Sequence, residues 1–162
     1  MNNKDKAEFV KNYYPQAQAA GLRYGINPQV ILAQAAHESG WGSSFSAKTR
    51  NNFFGITASG APNEYWDGAN SASLTNPKLK FRIYTSAQDS FFDFARLIAH
   101  NYKTAASVSN NTADYAKAIA QSSYISESNG DNRSVYESAI MKNAAFVLDT
   151  LASLKKKLPQ QA

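Results

Sequence analysis

The stretch PQVILAQAAHESGWGSS, residues 28–44, constrains the fold more than any other. Asn27-Pro28 reads as a helix start, with Asn as the cap and Pro at the first helical position. The helix that follows runs to about Ser39 and carries Val30, Ile31, Ala33, Ala35 and Ala36. It is apolar nearly all round and so belongs inside the molecule. Gly40 and Gly42 end it. Yet its last turn holds Glu38, and burying a lone carboxylate is expensive. Either a salt bridge or a hydrogen-bonded partner satisfies Glu38, or apolar walls raise its pKa from a free value near ~4.3 and keep it protonated. A glutamic acid protonated at neutral pH is the general acid that breaking a glycosidic bond requires. Trp41, three residues on, either offers a flat face to a sugar or closes the core.

The rest of the chain reads as helices around one irregular section. Residues 4–25 have Phe9, Tyr13, Ala17 and Ala20 near helical spacing, with Pro15 expected to kink or split the segment. Residues 43–85 show no helical period. Within them Leu79, Phe81 and Ile83 alternate with Lys78, Lys80 and Arg82, a half-buried strand pattern. NEYWDGAN, residues 63–70, is the candidate partner strand, turning at Asp67-Gly68. Ser86 to Asp89 gives a helix cap, followed by Phe91, Ala95, Ile98 and Tyr102 on one face. A further helix is expected over 111–122. After the polar loop 123–134, a long one runs from about Asn132 to Lys157. In this last helix Tyr136, Ile140, Ala144, Val147, Leu151, Leu154 and Leu158 form the buried stripe, and Lys155 to Lys157 complement the dipole. The fold class is therefore α+β and mostly helical, one domain over 1–162 with a small β-lobe inserted between helices and a cleft between the lobes.

Hydrolysis of a glycoside usually needs a second carboxylate or a substitute for one. Glu64 and Asp67, flanked by Tyr65 and Trp66 in NEYWDG, are the candidates in the irregular section. Other chemistries have less support. His37-Glu38 has no second histidine four residues later, and His100 is the only other one, so no metal site is expected. No G-x-S-x-G elbow, P-loop or dinucleotide fingerprint occurs. There is no cysteine, which excludes disulfides and thiolate catalysis. The net charge of +5 favours acidic partners, but it is diffuse, with no basic stripe for nucleic acid. No segment is long enough to span a bilayer, and MNNKDKAEFV has no apolar h-region, so any export signal is expected to lie outside this sequence or to act through another component.

Four ordered blocks, ILAQAAHESGWGSS, NNFFGI, NEYWDG and KFRIYTSAQDSFFDFARLI, resemble the family 73 glycoside hydrolases, the N-acetylglucosaminidases of peptidoglycan. The similarity runs from about residue 7 to residue 150. It implies a lysozyme-like fold and endo-hydrolysis of the β-1,4 bond between N-acetylglucosamine and N-acetylmuramic acid, with no metal or organic cofactor. By the resemblance Glu38 takes the place of the general acid, and Glu64 that of the β-lobe glutamate which activates water or assists the substrate. Asn52 and Phe54 belong to the block that shapes the cleft floor. Tyr124 matches the tyrosine near the reacting sugar, with Tyr136 as second choice because the helix stripe already explains it. Trp41, Tyr65 and Trp66 become substrate-binding candidates.

The chain departs from the family pattern at Thr57, where a lysine is usual, and at Asn63, where a threonine is usual. It also departs in the tyrosine block, which is longer and more polar here. Peptidoglycan strands are the expected partner, and the cell envelope, periplasmic or extracellular, the expected place of work. The rival readings are a lytic transglycosylase or muramidase of the same broad fold, and a glycan-binding module without turnover. The NNFFGI block speaks against a transglycosylase, where G-L-M-Q tends to stand.

Overall fold

The computed structural model describes residues 1–157. The elements are α1 (Asn3–Tyr24), α2 (Pro28–Ser39), α3 (Phe45–Arg50), β1 (Asn70–Ala72), β2 (Lys80–Arg82), α4 (Ala87–Asn101), α5 (Lys103–Ser107), α6 (Thr112–Gln121) and α7 (Arg133–Lys157). A short 3-10 turn (Glu127–Asn129) precedes α7.

Helix α2 is the axis of the molecule, as its all-round apolarity predicts. Val30, Ile31, Leu32, Ala33, Ala35 and Ala36 are fully buried, and α1 and α7 pack against them. Its start is capped by Asn27, whose side chain accepts from the Gln29 N–H at 2.8 Å. At its end Gly40 takes the left-handed conformation (φ 55°), and Trp41 follows in the same region (φ 57°). That geometry costs a non-glycine residue roughly 1–2 kcal/mol. Ser39 offsets it, donating to the Ala35 carbonyl at 2.6 Å and accepting from the Gly42 N–H at 2.8 Å. The α7 stripe is buried at Tyr136, Ile140, Ala144 and Val147 and half-buried at Leu151 and Leu154. Leu158 lies outside the described residues.

Three sequence expectations need correction. Pro15 does not split its segment, for α1 is one helix through it. Pro15 and Lys11 are both exposed, so water can solvate the carbonyl that the missing N–H leaves free. Residues 43–85 are not without helix, since Ser44 caps α3 by accepting from the Ala47 N–H at 3.1 Å. The strand paired with β2 is not 63–70 but β1, in the antiparallel register Asn70↔Arg82, Ser71↔Phe81, Ala72↔Lys80. Residues 63–66 instead close into a tight turn, where the Asn63 side chain accepts from the N–H groups of Tyr65 and Trp66.

The β-lobe is tied to α4 through one buried carboxylate. Asp93 accepts from Arg82 at 2.7 Å, from the Tyr84 hydroxyl, and from Asn63 at 2.9 Å. Arg82 also donates to the carbonyls of Thr57 and Ser59, and its guanidinium lies 4.0 Å from the centre of the Trp66 ring. One side chain thereby gathers the 57–59 edge, the 63–66 turn and helix α4.

Candidate active site

The end of α2 opens onto a cleft of about 420 Å³. Its walls come from the α2 C-terminus (His37, Glu38), the loop after α3 (Phe54 to Thr57, and Ser59), β2 (Arg82), α4 (Leu97) and Tyr102 just past its end, and the segment from Tyr124 to Tyr136.

Glu38 is held by a relay of buried polar side chains. Gln34, one turn earlier on the same face of α2, is fully buried. Its carbonyl oxygen accepts from the Tyr115 hydroxyl, and its amide nitrogen donates to the Tyr136 oxygen at 3.0 Å. The Tyr136 oxygen is thus an acceptor toward Gln34, and its own proton goes to Glu38 Oε1, 2.9 Å away. Oε1 is pinned. Oε2 stands beside Gly55, where a Cβ would sit 3.8 Å from it. Gly55 itself has φ 62°, a conformation rather than a lack of space that calls for glycine.

Burial pushes the Glu38 pKa up from 4.5 to about 7, the Tyr136 hydrogen bond pulls it down, and the Asp131 charge pushes it further up. Burial also lowers the pKa of His37, against the opposing pull of Asp131. The arrangement is a carboxylic acid that holds its proton near neutrality, with one oxygen that has no hydrogen-bond partner among the described residues.

Of the other site residues expected from sequence, Phe54 and Tyr124 line the same cleft. Phe54 stacks on Phe94 at 3.9 Å, and Tyr124 sits edge-on to Tyr102 at 5.5 Å and 6.3 Å from Tyr136. Asn52 lies behind the floor, 1% exposed. Its oxygen accepts from the Phe54 and Ile56 N–H groups, and its nitrogen donates to the Ile56 and Arg82 carbonyls. It shapes the cleft and does not face it.

Trp41 is off the cleft. The left-handed turn after α2 sends its ring to the α1 side, between Phe9 (5.7 Å) and Phe146 (5.4 Å), under the Lys6 ammonium. Trp66 is buried under Arg82, its indole N–H given to the Ala69 carbonyl. Tyr65 hydrogen-bonds Tyr24 through the hydroxyls at 2.8 Å. Glu64, Tyr65 and Trp66 line a separate small hollow of the β-lobe, so this geometry does not bring Glu64 to Glu38. The carboxylate that shares the cleft with Glu38 is Asp131. Sequence reasoning passed over Asp131, as it did Gln34 and the Arg82–Asp93 pair. A fully buried glutamine four residues before the acid was the one available signal.

The profile of the glucosaminidase family, described as mannosyl-glycoprotein endo-beta-N-acetylglucosaminidase, matches residues 14–145. The chain belongs to the glucosaminidase family. Among curated relatives, this glucosaminidase domain is 36% identical over 111 residues to the peptidoglycan hydrolase FlgJ of Vibrio parahaemolyticus, covering 60% of this chain and 35% of that protein. It is 60% identical over 50 residues to a putative endo-beta-N-acetylglucosaminidase of Streptococcus pneumoniae, covering 31% of this chain and 8% of that one. The chain spans about a third of the length of the FlgJ relatives it matches. The glycoside hydrolase domain of Salmonella typhimurium FlgJ superposes with a TM-score of 0.69 at 24% identity, over 96% of this chain and 94% of that one. The glucosaminidase thus has the mostly helical, lysozyme-like α+β fold that its sequence implied. No helix among the described residues is long and apolar enough to cross a membrane.

Proposed function

We propose that the chain hydrolyses peptidoglycan as an endo-β-N-acetylglucosaminidase, cutting the β-1,4 bond between N-acetylglucosamine and N-acetylmuramic acid, with Glu38 as the general acid. One observation carries this reading: the cleft holds a carboxyl group whose pKa stands at about 7, with Oε1 fixed by Tyr136 and Oε2 without a hydrogen-bond partner among the described residues. The proton on Oε2 passes to the bridging oxygen as that oxygen leaves the anomeric carbon, and water completes the sugar. Tyr124, on the cleft wall, contacts the reacting sugar. Glu64, exposed on the 63–66 turn, reaches the sugar when the β-lobe closes on a bound strand. There it directs the water, which inverts the anomeric carbon, or orients the substrate's own N-acetyl group, which retains it. The work takes place in the cell envelope, periplasmic or extracellular, where a surface of net charge +5 is drawn to anionic wall polymers.

Two substitutions test the acid through its pH profile. Glu38 must be protonated to act, so turnover falls as pH rises through about 7. Tyr136→Phe removes a hydrogen bond that favours the carboxylate, and the alkaline limb moves to higher pH. Asp131→Asn removes a charge that disfavours the carboxylate, and the limb moves to lower pH. Rates on purified walls between pH 5 and 9 measure both. Shifts in the same direction, or none, contradict the assignment. A glycan-binding module predicts sedimentation with walls and no new reducing ends at any pH.

A further inference from the structure

On the other side of Tyr102 from the cleft lies a second hollow of about 400 Å³, bounded by the end of α4, by α5 and by the turn after α6. Tyr102 lines both spaces, and Ser122 and Ser123 of the hollow lead directly into Tyr124 of the cleft. The two differ in charge. The cleft carries Glu38 and Asp131, whereas the hollow has no carboxylate in its lining and Lys103 as its fixed charge. Among the described residues, Lys103 is in no salt bridge. It is exposed, as are Asn101 and Ser123 beside it.

We propose that this hollow is a binding site for the acidic peptide carried by the muramic acid residue next to the bond cut, with Lys103 pairing to a peptide carboxylate. The proposal rests on peptidoglycan being the substrate. It deepens that reading, because it makes the peptide and not only the sugar part of what is recognised. The donor set argues for a peptide over another sugar ring. An ammonium, an amide and a hydroxyl match carboxylates and peptide carbonyls. The flat aromatic faces and paired carboxylates that grip neutral sugars stand in the neighbouring cleft. A peptide branching from a sugar in that cleft leaves past Tyr102, and its extended reach of about 3.4 Å per residue spans such a hollow in three or four residues.

The test compares two substrates across three proteins. One substrate is soluble peptidoglycan bearing its peptides, and the other is the same glycan stripped of them by an amidase. At low ionic strength, Lys103→Glu is expected to lower kcat/KM on the peptide-bearing strand about three- to tenfold, mainly through KM. On the stripped strand it should match wild type, and Lys103→Arg should keep the wild-type preference. An equal loss on both substrates would overturn the proposal, assigning the hollow to sugar or to the fold, as would no change on either. Wild type cutting neither substrate would remove the peptidoglycan reading, and this inference with it. Wild type cutting both with equal efficiency would remove this inference alone.

Discussion

Glu38→Gln is expected to lower turnover on purified peptidoglycan by about 10²–10⁴-fold, the usual contribution of a positioned general acid. The variant should stay folded, because the Gln oxygen still accepts from Tyr136 while the amide has no proton to give. Stability then supplies an independent check with a definite sign. The folded pKa of Glu38, about 7, lies above its ordinary value of 4.5. The folded state therefore holds the proton that the unfolded state releases, and wild type loses stability as pH rises through that window. At about 1.4 kcal/mol per unit the loss is at most about 3 kcal/mol by pH 8, less where the half-exposed cleft admits water. A neutral amide escapes it. Thermal unfolding should show Glu38→Gln more stable than wild type at pH 8 and level with it near pH 4.5. An inactive variant that is also destabilised at pH 8 would point to a structural glutamate.

The largest effect on stability belongs to Asp93. It is 2% exposed and accepts from Arg82, Tyr84 and Asn63 together. Asp93→Ala leaves the Arg82 guanidinium without its counter-charge and two further donors without an acceptor. Removing one partner of a buried pair costs about 3–5 kcal/mol. For a protein of this size that is a fall in Tm of about 6–20 °C. Because Arg82 also holds the carbonyls of Thr57 and Ser59, the cleft edge should loosen with it, and activity near the growth temperature should fall as well. Arg82→Met combined with Asp93→Leu should cost less than the sum of the single changes, since the double variant strands no charge. Additive losses in a double-mutant cycle would mean that the two residues act separately.

How much of this was legible beforehand depended on the range of the interactions. The position of Glu38 followed from local signals alone, namely a Pro at the start, two glycines at the end and apolar residues between. Each of these acts within a turn of helix. Tyr136 was legible as a member of the α7 stripe, but its hydroxyl spans to α2, a contact between residues 98 apart in sequence that no periodicity encodes. The partner strand failed for a related reason, whereas β2 showed its alternation at 78–83. The three residues of β1 are too few to show a period of two, and the aromatic run at 63–66 looked like a strand while its Asn63 side chain was building a turn.

Trp41, Trp66 and Asn52 show why residue type in a motif does not assign a face. An indole serves a core as well as a sugar, and the side-chain amide of Asn52 is consumed by the loop it belongs to. Asp131 was hidden in a polar loop with a second carboxylate, Glu127, and nothing in the sequence marks which one faces the cleft. Only the path of the chain from Tyr124 back to α7 brings it to the cleft.

The central claim is the bond that the cleft cuts. Purified peptidoglycan digested with the wild-type protein, reduced with borohydride and analysed by mass spectrometry, reads it directly. The account predicts new reducing ends that are all N-acetylglucosamine and are absent from the Glu38→Gln digest. Reducing N-acetylmuramic acid or its anhydro form in their place would contradict it.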